Sequence, residues 1–249
     1  MIDIENSKKL FQRYVNKYDY NDEKIFLKVY HTYRVLDNSI EIAKSLNLSE
    51  SDVWVAALIG LLHDIGRFEQ ITKYNTFNDL KSVDHANLGI EILKGNNFID
   101  SFVSDKYIQN IVLTAINNHN KYKIEDNLDK KTLMFCKIIR DADKLDIFKI
   151  FVNGDLDMPR TNSNISNRIL YCYLKGIVLP DSFNETKMDF YLRSFGMLYD
   201  LNFKYSINKV IKDKIPDKLI DSIMENNMHE KDNLLEIKKV YYKKRGNLC

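Results

Sequence analysis

Histidine is scarce in this chain, five residues in 249, and four of the five (His31, His63, His85 and His119) fall in the first half. Imidazole is a general base near neutrality and a good ligand for divalent metals. Where these residues sit matters more than their number. His85 shares a helical face with Leu88, Gly89, Ile92 and Leu93, and His119 follows Ile108, Val112, Ala115 and Ile116 on its own face. Asp64 comes directly after His63 and the apolar run VWVAALIGLL, and Asp143 shares a face with Cys136, Ile139, Ile147 and Ile150. Each is a polar or charged group aimed at a core, at several kcal/mol unless compensated. One such histidine would be an ordinary satisfied core residue. Four histidines and two aspartates turned inward share one explanation, a cluster of divalent cations that offsets the carboxylates and takes up the imidazole lone pairs. The sequence has no G-x-S-x-G elbow and no cysteine next to these histidines, so the expected nucleophile is water.

Helices must hold these groups. Eight glycines and three prolines in the whole chain leave long stretches of 3.6-residue periodicity, so the expected fold class is all-α. Val29, Tyr33, Leu36, Ile40 and Ala43 form one face of a helix that Asn47 ends. Ser49 or Ser51 caps the next, an apolar and central helix running to His63. Adjacent residues on a helix diverge by about 100°, so His63 and Asp64 reach one site only where the helix ends. Gly66 is read as the residue that ends or redirects the chain just after the pair and permits that geometry. Further helices are expected from Ser82 or Asp84 to Lys94, from about Asp105 to His119 and from about Lys131 to Val152. Polar Asn153 to Asn167, with Pro159, reads as a loop or lid. The expected division is a metal-binding core, 1–155, and a helical extension, 156–249, packed on it as one unit. That extension carries no motif, and closure over the site, homo-oligomerisation or packing are its candidate roles.

Composition narrows the partners. The net charge of +2 gives no global attraction to nucleic acid or an anionic membrane, and the basic run near Lys238 to Arg245 reads as a solvated tail. Cys136, Cys172 and Cys249 form no CxxC pair, so neither a disulfide framework nor a thiolate zinc site is indicated. The N-terminus has no apolar signal region, and apolar runs fall short of the roughly 20 residues that span a bilayer. The expectation is a cytoplasmic protein without membrane partners.

The ordered set resembles the HD-domain superfamily of metal-dependent phosphohydrolases. The matching strings are VYHTYRV at His31, LLHDIGRFE at His63-Asp64, VDHANLG at His85, NNHNKY at His119 and RDADKLD at Asp143. The resemblance spans about residues 20 to 155 and implies a five-helix core with metals between the helices. It implies one ion on His31, His63, Asp64 and Asp143, and a second on His85 and His119 with Asp64 bridging. NHNKYKIEDN stands where the cyclic-dinucleotide phosphodiesterases of the superfamily carry Gly-Tyr-Pro, so the chain departs from that branch.

Two ions sharing a carboxylate bring the pKa of a bridging water toward neutrality and offset phosphoryl charge. The expected substrate is therefore a small phosphoester of nucleotide or cyclic-nucleotide type, hydrolysed by metal-activated water. Arg67, after the His-Asp pair, and Lys144, after the last aspartate, are the candidate phosphate-binding cations beside catalytic Asp64, with Lys121 and Lys123 behind them. The donor set does not choose among Mn, Fe, Mg, Ni, Co and Zn. The same ligand pattern resembles the mixed-valent di-iron oxygenases of the superfamily, one alternative. A non-catalytic sensor module is the other.

Overall fold

Short polar side chains stand at the start of most helices in the first half, and they act as caps. In the computed structural model, which describes residues 2–152 and 160–246, Asp22, Ser49, Asp84 and Asp105 each accept a backbone N–H from the first turn. Such a cap contributes about 1 kcal/mol. The described residues are helical, with no strand among them. Two compact units divide the chain at Asp143/Lys144.

The first unit contains α1 (Ile4–Val15), α2 (Glu23–Ser45), α3 (Glu50–Leu62), α4 (Ile65–Tyr74), α5 (His85–Lys94), α6 (Lys106–Asn118) and the first part of α7 (Lys130–Val152). Asn47 adopts a left-handed conformation just beyond α2, as a stop residue should. Helix α3, buried from Val55 to Leu62, is central and packs against α1, α2 and α6. Two helices were not anticipated. One is α1, whose Phe11 meets Tyr33 of α2 and Phe68 of α4 edge-on while the Tyr14 hydroxyl donates to the Ile65 carbonyl.

The other is α4, and it corrects the reading of Gly66 as the residue that ends or redirects the chain: the redirection occurs, but ahead of Gly66. Gly66 lies inside α4, at its closest approach to α5: a Cβ there would stand 2.2 Å from the His85 carbonyl oxygen and 2.7 Å from the Gly89 amide nitrogen. The chain breaks instead between His63, the C-cap of α3, and Asp64, whose φ of −105° and ψ of 18° start α4 in a new direction. Gly66 thus serves contact between helices.

The second unit contains α8 (Asn167–Lys175), α9 (Lys187–Gly196), α10 (Lys204–Lys212), α11 (Ile215–Asn226) and α12 (Lys231–Gly246). Its core stacks Phe195, Tyr199 and Tyr241 edge to face. Buried Asp189 accepts the Ser166, Glu185 and Thr186 amides, joining the starts of α8 and α9. The expected boundary at residue 155 and the first part of the expected loop, to Pro159, lie outside the described residues, as does Cys249. Residues 160–166 are non-helical. Among the described residues no helix is long and apolar enough to cross a membrane.

Candidate metal centre

Asp64 occupies a helix N-cap position yet makes no capping hydrogen bond. An aspartate there ordinarily turns to the amides of its own helix. This one turns to imidazoles, and its two oxygens face different pairs. Oδ2 lies 3.5 Å from Nε2 of both His31 and His63. Oδ1 lies 3.3 Å from Nε2 of His85 and 3.6 Å from that of His119. Asp143 Oδ1 completes the first group, 3.2 Å from His31 Nε2 and 3.9 Å from His63 Nε2. The six residues read from the sequence thus converge from α2, the α3–α4 break, the start of α5, the end of α6, and α7. The four histidines and Asp64 are buried, and the Asp143 side chain is 19% exposed.

Three rings are oriented from behind. His63 Nδ1 donates to the Gly60 carbonyl at 2.8 Å, His119 Nδ1 to the Ile116 carbonyl at 2.6 Å and His85 Nδ1 to Asp79 Oδ2 at 2.6 Å. Carbonyls and carboxylates only accept, so each Nδ1 carries a proton and each ring turns its Nε2 to the centre. Burial pushes the His63 pKa down to about 3, against the pull of Asp64 and Asp143, and also lowers that of His85, so these rings are neutral at pH 7. The Nε2 atoms of His85 and His119 then stand 3.0 Å apart beside a carboxylate oxygen, close enough to share one cation. An imidazole–carboxylate donor set of this kind fits a divalent metal. Triads suited to an ion form on both sides, His31–His63–Asp64 and Asp64–His85–His119.

Burial works to raise the Asp64 pKa, but the Lys28 ammonium beside Oδ2 outweighs it and holds the carboxyl well below the usual range. Asp143 is held below it too, where burial, which raises it, is outweighed by His31. Lys28, which the sequence reading did not single out, places its ammonium 2.6 Å from Asp64 Oδ2. It precedes His31 by three residues on α2, and that helical spacing was the available signal.

The two catalytic cations expected from the sequence lie differently. Arg67 points its Nε at Asp64 Oδ1 across 3.6 Å, while its NH1 is engaged by Gln70 Oε1, the Phe77 carbonyl and Asp79 Oδ1 at 2.7, 2.7 and 2.9 Å. Lys144 pairs with Asp200 at 2.8 Å within the second unit. Lys121 pairs with Asp84 and exposed Lys123 with Asp126. Two buried polar residues, also missed, brace the centre: Asn38 donates to the Ala142 carbonyl at 3.0 Å, joining α2 to α7 next to Asp143, and Arg140 donates to the Asn118 carbonyl at 3.1 Å and to that of Lys121.

No curated protein and no solved structure matches the chain. Residues 29–147 match the family model of the HD domain, and the interval runs from two residues before His31 to four beyond Asp143. That match, laid over this centre, is consistent with membership of the HD-domain superfamily, a group of metal-dependent, hydrolase-type proteins.

Proposed function

We propose that the chain is a phosphohydrolase that uses two divalent ions to hydrolyse a small phosphoester. The observation that carries this reading is the split of Asp64, whose Oδ2 faces His31 and His63 while its Oδ1 faces His85 and His119. A carboxylate with one oxygen in each of two imidazole sets suits a pair of ions that share it. Divalent ions held there supply Lewis acidity, which lowers the pKa of a water and offsets charge on phosphoryl oxygens.

The residues of the chain supply the rest. His31, His63 and Asp143 would hold an ion on one side, His85 and His119 on the other, and Asp64 would serve both. The carbonyls of Gly60 and Ile116 keep the His63 and His119 rings aimed inward. Lys28, at the centre with its side chain 16% exposed, is the cation placed to meet a phosphoryl oxygen. Arg67 has NH1 committed to the turn after α4 and contributes the field of its Nε side.

The test is elemental analysis of the reconstituted protein, paired with hydrolysis of a chromogenic phosphomonoester and phosphodiester in manganese. Two ions per chain with hydrolysis support the reading. Two irons with oxygen uptake and no hydrolysis favour the di-iron oxygenase, since imidazole with carboxylate suits iron equally. Failure to bind ions refutes both.

A further inference from the structure

The short 3₁₀ turn Asp79–Lys81 buries no side chain, and its middle residue, Leu80, is 97% exposed. By apolar packing alone this turn has little reason to dock. It is docked through the Asp79 carboxylate, which collects donors from four side chains, Asn120 Nδ2 reaching Oδ2 at 3.4 Å among them. Oδ2 accepts His85 Nδ1 at 2.6 Å. Oδ1 accepts Arg67 NH1 at 2.9 Å and Gln70 Nε2 at 2.8 Å. Gln70 is fully buried and directs its whole amide to the same segment, with Nε2 also 2.9 Å from Ser82 Oγ and Val83 O and with Oε1 accepting from Arg67.

We infer that Asp79 is the positioning residue of the His85–His119 half of the centre: it fixes the His85 ring in the Nδ1–H form and so turns the Nε2 lone pair toward Asp64 and His119. This rests on the metal reading above. His63 and His119 receive the same service from carbonyls of their own helices, which stay in place as long as those helices do. His85 opens α5 and has no preceding turn of its own helix behind it. Its ring depends on a carboxylate six residues upstream, and a carboxylate behind an imidazole also strengthens it as a donor to metal. One side chain therefore couples the readiness of this half-site to the docking of an exposed turn and to the placement of Arg67. The donors to Asp79, from His85, Arg67, Gln70 and Asn120, all come from outside the His31–His63–Asp143 half.

The inference predicts selective loss. Manganese is titrated into metal-stripped wild type, Asp79→Ala, Asp79→Asn and the exposed control Leu80→Ala, with bound ions counted by electron paramagnetic resonance. Wild type and Leu80→Ala bind two ions. Asp79→Ala keeps the tighter ion at wild-type affinity and binds the other roughly 10–100-fold more weakly. Asp79→Asn falls between, because one amide oxygen serves either His85 or Arg67 while its NH₂ faces the other donor. In the metal-free chain, ¹⁵N chemical shifts of the imidazoles give the Nδ1–H form for His85 in wild type and a mixture of tautomers in Asp79→Ala. Two ions in Asp79→Ala at wild-type affinities overturn the inference. Equal weakening of both ions also overturns it, since that marks a general structural support. If wild type binds no ion, the metal reading fails, and the tautomer measurement alone decides the role of Asp79.

Discussion

Replacing Gly66 with alanine adds one methyl group, and the structure says where it goes. Its Cβ would stand 2.2 Å from the His85 carbonyl oxygen and 2.7 Å from the Gly89 amide nitrogen. Both are backbone atoms of α5, so no side-chain rotation relieves the clash. Restoring an ordinary contact of 3.4 Å requires α5 to move by roughly 1 Å, an overpacking strain of about 1–3 kcal/mol. Alanine recovers about 1 kcal/mol of helix propensity in α4. Strain wins by a margin of up to about 2 kcal/mol, a few degrees in melting temperature for a chain of this size.

The effect on the centre is larger than the effect on the fold. His85 is the first residue of α5 and moves with it. Metal–ligand distances tolerate about 0.2 Å, so a displacement near 1 Å removes His85 from the second half-site while His31, His63 and Asp143 keep theirs. Gly66→Ala is expected to bind one ion at near wild-type affinity and to lose the other, measured by calorimetric titration of manganese with a parallel thermal melt. Gly95→Ala is the control: nothing lies within 4 Å of its Cβ, and its φ of −58° suits any residue, so it stays within about 0.5 kcal/mol of wild type. A Gly66→Ala protein that binds two ions normally and melts no lower than wild type refutes both the α4–α5 contact and the dependence of the second half-site on it.

Three further outcomes follow from the same geometry. On the proposed two-ion phosphohydrolase reading, Asp64→Ala removes the one carboxylate common to both sides and is expected to lose both ions and hydrolysis, and elemental analysis that still finds two ions rejects the bridging role. Lys144→Ala breaks the ion pair with Asp200, whose Lys144 side chain is 10% exposed. It should cost up to about 3 kcal/mol with metal stoichiometry unchanged, and loss of an ion from this variant would return Lys144 to the centre. In the metal-free chain, burial lowers the His63 pKa to about 3 from an ordinary 6.5, so across that window the unfolded state binds the extra proton. Stability is full above pH 6.5 and declines as pH falls, at 1.36 kcal/mol per pH unit and by at most about 5 kcal/mol. The depressed carboxylates Asp64, Asp79 and Asp143 act in the same direction below about pH 4, because their contribution is lost as they protonate. A melting temperature that is flat from pH 7 to pH 5 contradicts a neutral, buried His63.

What the sequence disclosed was what repeats along one helix. His85 and His119 are legible because their apolar neighbours recur at helical spacing, and α3 is legible because it is apolar on every side. Gly66 misled because glycine is a poor helix former, and only the partner helix explains its presence inside one. Helix α1 escaped because its apolar residues are separated by lysines and an arginine, and its purpose, a seat for Phe68 and Ile65 of α4, lies 50 residues downstream. Arg67 was found by position, but its geometry was not, since the acceptors of its NH1 come from a turn with no periodic signal. Asp79 had no signal at all: one acidic residue in a polar loop reads as solvated surface until the histidine it holds is seen.

The two halves of the centre are therefore built from materials of different durability. Behind His63 and His119 stand carbonyls of α3 and α6, which are lost only when those helices unwind. Behind His85 stand the carboxylate of an exposed turn and a helix crossing that a single methyl group disturbs. Local opening draws on segments with few buried apolar contacts, and the Asp79–Lys81 turn is such a segment. The ion on the His31–His63–Asp143 side should accordingly bind first and leave last, with the second ion reporting whether the turn is docked. Amide hydrogen exchange in the metal-free and one-ion forms checks this ordering. Residues 79–83 should exchange fast in both and slow only when the second ion enters, whereas protection that arrives with the first ion would show the two halves forming as one.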